Sequence, residues 1–247
     1  MFAWGRRFLR LPLLLRCKMN AFKEAFNLIV SFDKELYGII GVTMRMSFSS
    51  VLISCLLGIP AGVVLGSKNF KGKSLPMKIL HTLMGLPPVV AGLIVFLLLS
   101  RSGPLGSLKL LFTVRAMVIA QVLLITPIVT GLTASVVAVK TPAILETARG
   151  LRLSKPTKLK LILKENKAPL VSVVLTGFGR AISEVGAISL VGGNIQHKTR
   201  AMTTAIVLET GKGNFEFAIA LGLILLIIAF VINSIASSFR GDGYDYT

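Results

Sequence analysis

Four stretches of this 247-residue chain, 46–66, 79–100, 116–139 and 217–239, run for the width of a bilayer without one Asp, Glu, Lys or Arg. An apolar run of about 18 residues or more reads as a transmembrane helix, because only a helix satisfies its own backbone polar groups in lipid. A fifth segment, 168–192, is long and apolar enough despite the Arg180 and Glu184 it carries. Five spans is the economical count, and the expected fold is an all-α integral membrane protein. Hydrophobic residues at 53%, charged residues at 15% and a mean hydropathy of +0.79 exclude an ordinary soluble globule.

The net charge of +18 falls mainly between the spans. The segment 67–78 carries Lys68, Lys71, Lys73 and Lys78 and no acid, and 139–167 holds eight Lys/Arg against Glu146 and Glu165. The alternate segments are less biased. Residues 101–115 carry Arg101, Lys109 and Arg115; 193–216 carries His197, Lys198, Arg200 and Lys212, offset by Glu209 and Glu216. The Lys/Arg excess therefore places 67–78 and 140–167 in the cytoplasm, the N-terminus outside and the C-terminus inside. With no aromatic-interleaved basic face, nucleic acid is not an expected partner; the lipid bilayer is. Residues 1–18, with Arg6, Arg7, Arg10, Arg16 and Lys18, conflict with an outside N-terminus, and a start at Met19 removes the conflict. The division is then an N-terminal segment 1–37, a transmembrane domain 38–239 and a cytoplasmic tail 240–247.

No motif for self-fuelled chemistry is present. The segment Gly66 to Ser74 has one residue too many between its glycines for a P-loop and follows a membrane span rather than a strand. HExxH, GxSxG and paired-carboxylate patterns are absent, so the chain reads as a non-enzyme. Cys17 and Cys55 show no metal spacing, and no metal or cofactor is expected. Pro60, Pro87, Pro88 and Pro127 lie inside spans, where neighbouring helices can absorb a kink. Gly58, Gly62 and Gly66 recur every four residues and suit close helix approach.

In the basic loop, Pro142 to Leu151 reads as a short helix with Thr141 as its N-cap. Ile144, Leu145, Ala148 and Leu151 share its apolar face. Leu153 to Pro156 breaks it, and Pro156 starts a second helix through Leu163. The bland alternative is a positive-inside loop and no more. Glu146-x-Ala148, with Ile162 sixteen residues after the glutamate, resembles the EAA loop of permease subunits of bacterial ABC importers. That resemblance implies a coupling helix docked on a cytoplasmic ATPase, with Glu146, Thr147, Ala148, Arg149, Gly150, Leu151 and Arg152 as its contacts. The family's glycine falls at Arg152 here, with Gly150 two residues early.

A longer resemblance follows. Gly177 to Ala187 (GFGRAISEVGA), Val191 to Ile195, Met202 to Ala205 and Leu208 to Gly213 are similar to molybdate- and tungstate-type permeases, most closely the tungstate branch. Gly85 to Gly92 and Arg101 to Gly106 fit the same branch. The resemblance implies a type I importer permease with five spans, paired with a second copy of itself. It also implies a cytoplasmic ATPase dimer that hydrolyses the ATP and an extracytoplasmic tungstate-binding protein. Molybdate or sulfate is the alternative cargo. A reading of another class is a membrane scaffold whose basic loop binds anionic lipid.

Arg180 and Glu184, at i and i+4, would lie one above the other on a helix face. They are either an ion pair that fixes packing or, with Ser183, part of a path in which Arg180 lends positive potential to an oxyanion. On the outer side, Gly193 and Asn194 form a turn that could meet a binding protein, or a plain loop.

Overall fold

The computed structural model describes residues 23, 26–68 and 70–238; the expectations for 1–18 and for the tail lie outside them. Among the described residues the regular structure is helical. After a short helical stretch at 26–30 come α1 (Lys34–Ser67), α2 (Ser74–Met84), α3 (Pro88–Leu99), α4 (Val114–Gly150), α5 (Lys155–Glu165), α6 (Lys167–Ile182), α7 (Gly186–Gly192), α8 (Met202–Lys212) and α9 (Phe215–Ser238).

The three longest helices cover three of the expected spans. Asp33 caps α1 by accepting from the Leu36 amide at 2.8 Å, and Thr113 caps α4 by accepting from Ala116 at 3.3 Å. α4 is 37 residues long, about 55 Å at about 1.5 Å per residue, well beyond the ~30 Å of a hydrocarbon core. It is the hub: α1, α2, α3, α5, α6 and α7 all pack on it. The α1–α4 seam is made by the glycine repeat. A Cβ on Gly62 would lie 2.6 Å from the Thr130 carbonyl oxygen, and one on Gly66 would lie 2.6 Å from that of Ala134.

The second expected span is not one helix. α2 and α3 meet at 96° across Gly85 to Pro87. Pro87 and Pro88 remove two consecutive N–H donors, and Pro88 forces Pro87 into an extended conformation, φ −60° and ψ 129°. Alone, α3 is 12 residues long and too short to cross. It returns against α4 and α7 through a core of small side chains, Ala91, Val95, Ala116, Ala120, Ala187 and Val191. The fifth segment is also divided, α6 and α7 differing by 56°. Counting each bent pair as one span gives five.

Two expectations for the loops are corrected. Thr141 is not an N-cap, because α4 runs through Thr141 and Pro142 to Gly150. Its hydroxyl instead donates to the Val137 carbonyl four residues back, at 2.6 Å. The buried positions Val137, Thr141 and Ala148 keep helical spacing across Pro142, so burial outweighs the one lost hydrogen bond. Secondly, 193–216 is not merely a polar loop. It contains α8, whose Met202 and Ala205 are buried against Leu36 and Ile39 of α1 and Ala220 and Leu221 of α9.

Candidate functional site

The break between α6 and α7 is built around Glu184. Here the expectation of a single helix face fails: α6 ends at Ile182, so Arg180 and Glu184 bridge the break instead of stacking on one helix. One carboxylate oxygen accepts from the amides of Val185 (3.1 Å) and Ala187 (3.2 Å). These short-range bonds replace helical ones and turn the chain. The other oxygen meets the Arg180 guanidinium at 3.4 Å. The Glu184 side chain is only 4% exposed, whereas that of Arg180 is 38% exposed. Exposed Ser183 donates its hydroxyl to the Arg180 carbonyl at 3.2 Å.

Two side chains that charge counting passed over hold the break from outside. Gln121 of α4 donates its amide to the Ala181 carbonyl at 2.8 Å while its own oxygen accepts from Ser50 of α1 at 2.7 Å. Thr203 of α8 donates to the Glu184 carbonyl at 2.6 Å. Both are buried polar groups with satisfied bonds. Chemically, the arrangement presents a half-exposed guanidinium whose charge is partly neutralised by a buried carboxylate. Such a group attracts an anion without trapping it.

At the other end of α4, Glu146, Thr147, Arg149 and Gly150 are exposed and Ala148 is buried. Ile144 and Leu145 pack with Ile162 of α5 and Val63 of α1. Leu151, expected on the same apolar face, is 66% exposed, because the helix ends there. Leu153 N–H donates to Ala148 and Arg152 N–H to Arg149, both at 3.0 Å, a Schellman ending. Its left-handed position is Arg152, at φ 48°. The glycine of the EAA pattern thus has a physical meaning, and arginine occupies its conformation here. α5 begins with Pro156 in its first turn, as expected, and runs to Glu165.

On the expected outer face, Gly193 (φ 68°) and Asn194 (φ 49°) turn the chain after α7. Asn194 is turned inward: its amide donates to the Thr204 carbonyl at 3.3 Å and its oxygen accepts from the Thr204 hydroxyl at 3.1 Å. Gly193 is exposed. Nearby, Arg200 is buried and pairs with Glu35 at 3.2 Å, and Gln196 donates to the same carboxylate at 2.7 Å. Arg200 and Glu35 border a cavity of about 730 Å³ together with Asp33, Lys34 and His197. Near the end of α8 Glu209 accepts from Lys212 (2.9 Å) and from Asn214 in the turn that follows (3.0 Å). The Lys212 hydrogen bond holds its carboxyl below the usual range, against a smaller opposing effect of burial.

Long apolar helices and two bent pairs define a helical protein built to span a membrane. The chain belongs to the binding-protein-dependent transport system inner membrane component family, whose pattern matches residues 58–240. It is 43% identical to the tungstate uptake system permease protein TupB of Peptoclostridium acidaminophilum, over 90% of this chain and 98% of that one. A probable anion ABC transporter permease of Haloferax volcanii is 39% identical over 83% of this chain and 90% of the relative. The sulfate transport permease CysW of Synechocystis is more distant, 28% identical over 81% of this chain and 75% of the relative. The fold matches the inward-facing MetNI methionine ABC transporter, with a TM-score of 0.69, covering 85% of this chain and 97% of that one at 14% identity.

Proposed function

We propose that this chain is the membrane subunit of an ATP-driven importer for tungstate. The observation that carries this reading is its identity to the Peptoclostridium tungstate permease, 43% across nearly the full length of both chains. A second tungstate permease, from Campylobacter jejuni, is 38% identical over 90% of this chain, whereas the sulfate permease CysW of Escherichia coli is 29% identical over 81%. Two copies form the path, since a closed two-fold is the commonest way to complete a half-site. The N-terminus lies outside and the C-terminus in the cytoplasm, with the permease domain over 38–239.

In this reading Glu146 to Arg152 dock on a separate ATPase dimer. Closure of that dimer draws the two docks together and opens the path outward. Arg180 and Ser183 line the path, with buried Glu184 bracing Arg180 behind it, and exposed Gly193, with Asn194 bracing the turn beneath it, meets an extracytoplasmic tungstate-binding protein. Arginine suits the cargo because its planar fork matches tetrahedral oxyanions.

Uptake of radiolabelled tungstate into cells expressing the whole system is the test, with molybdate and sulfate as competitors. Tungstate uptake that resists a large molybdate excess supports the proposal. Equal competition by molybdate reassigns the cargo. Failure of the purified chain to bring down an ATPase would favour the lipid-binding scaffold instead.

A further inference from the structure

The residues Ser50, Gln121 and Ala181 join three helices by one chain of hydrogen bonds inside an apolar seam. Around it, Val51 of α1, Ile125 and Val129 of α4 and Val173 and Ala181 of α6 are buried together. Gln121 itself is 1% exposed, with one end on the Ser50 hydroxyl (2.7 Å) and the other on the Ala181 carbonyl (2.8 Å). Ala181 is adjacent to Arg180, in the last turn of α6 before the bend. At this helix terminus the Ala181 carbonyl keeps a long backbone bond, from the Glu184 amide at 3.4 Å, and Gln121 reaches in from a different helix to add a shorter one.

The position of Gln121 along α4 gives this contact a direction. α4 is unbroken from Val114 to Gly150. The 25 residues from Gln121 to Glu146 therefore span about 38 Å of continuous helix at about 1.5 Å each. One end carries the exposed Glu146, Thr147 and Arg149; the other carries the amide that fixes the turn behind Arg180. Pro127 and Pro142 each remove one i→i−4 bond along this stretch, yet it stays one helix and links the cytoplasmic end to the Ala181 carbonyl.

We propose that Gln121 is the positioning residue through which the cytoplasmic end of α4 governs the bend at Ala181–Glu184, and so sets where Arg180 stands in the oxyanion path. This rests on the importer reading above. Gln121 touches no ion itself and acts through Ala181. The Ser50 bond holds the amide in the orientation that directs its N–H toward Ala181, so Ser50 contributes a smaller share of the same effect.

The test uses the full chain reconstituted in proteoliposomes with its ATPase and binding protein, in a background with Cys17 and Cys55 replaced by serine. Ser183→Cys reports the bend through its reaction with a membrane-impermeant maleimide, at rest and in the vanadate-trapped state. With Gln121 present, the labelling rate is expected to change about tenfold or more on trapping, a factor large enough to separate two states. Gln121→Met, of similar length without the hydrogen bonds, is expected to lose that change while still hydrolysing ATP, so that, in companion complexes with Ser183 intact, fewer tungstate ions enter per ATP. Ser50→Ala, a milder change, is expected to fall between the two.

A Gln121→Met complex that keeps the labelling change and the wild-type tungstate-to-ATP ratio overturns the proposal. So does a proportional loss of hydrolysis and uptake in Ser50→Ala, which marks a purely structural bond. If the Ser183→Cys complex responds to nucleotide while the complex with Ser183 intact carries no tungstate, the tungstate reading fails while the role of Gln121 stands.

Discussion

The hydroxyl of Thr203 donates to the carbonyl of Glu184 at 2.6 Å, tying α8 to the bend between α6 and α7. The two residues are 19 apart in sequence, and the bond closes the whole 185–202 excursion onto the membrane segment that precedes it. Removing it while keeping side-chain shape leaves a buried carbonyl without its partner, at a cost of about 1–3 kcal/mol. Thr203→Val is therefore expected to lower Tm in detergent by roughly 2–4 °C for each kcal/mol lost. An unchanged melting curve would show that water replaces the hydroxyl.

Arg180 presents a half-exposed guanidinium braced by Glu184. Arg180→Gln is expected to cut tungstate uptake by about tenfold or more, corresponding to about 1.4 kcal/mol at the barrier. Arg180→Lys, which keeps a point charge but not the fork, is expected to retain an intermediate rate. Both variants should be present in the membrane at parental levels by immunoblot. Parental uptake by both would confine the pair to bracing the bend.

Arg152 holds a left-handed conformation that costs a residue with a Cβ about 1–2 kcal/mol. Arg152→Gly is expected to raise Tm by about 2–4 °C per kcal/mol recovered, whereas Arg152→Ala, which keeps a Cβ, is not. A melt of the two purified variants checks this, whatever the effect of losing the guanidinium on transport.

At Gly62 the backbones of α1 and α4 leave no room for a methyl group. Gly62→Ala is expected to destabilise by about 1–3 kcal/mol, the usual cost of overpacking. Gly41→Ala on the same helix meets nothing within 4 Å and is expected to be neutral or slightly stabilising. Equal melting temperatures for the two would argue against a tight α1–α4 seam.

Glu209 has its carboxyl held below the usual range, first by the Lys212 hydrogen bond. A depressed folded-state value gives stability that is present above the unfolded value, near about pH 4.3, and is lost as pH falls through the folded one. Tm measured from pH 7 to pH 3 is expected to fall along an acid limb that Glu209→Gln makes shallower. An identical limb in both proteins would remove Glu209 from the account.

The uninterrupted spans were legible because their apolar runs carry no competing signal: 46–66, 116–139 and 217–239 all lie within or nearly within α1, α4 and α9. The segment 79–100 contained its own correction in Pro87-Pro88, since one proline kinks a helix and two in succession end it. The α6–α7 bend was less visible. No proline marks it; a glutamate side chain takes over backbone amides, and only the folded chain shows which amides it reaches. α8 read only as part of the charged segment 193–216 between spans; in the fold Arg200 pairs with Glu35 of α1 and Glu209 with Lys212 one turn on in α8. Gln121 escaped notice because a polar but uncharged residue leaves a hydropathy window intact. The EAA resemblance picked out 146–152 as the exposed end of α4, yet the continuity of α4 through Pro142 was legible only in the spacing of Val137, Thr141 and Ala148.

The glycine seam has a mechanical consequence for the pair of helices it joins. With Gly62 and Gly66 laid against carbonyl oxygens of α4, no layer of flexible side chains separates the two backbones there. Sliding one past the other would drive main-chain atoms into contact, so α1 and α4 must travel together as a double beam. Relative motion is left to the softer joints: the proline hinge before α3 and the carboxylate-held bend after α6. A permease built this way concentrates its flexing at two short breaks and moves its two longest helices as a pair.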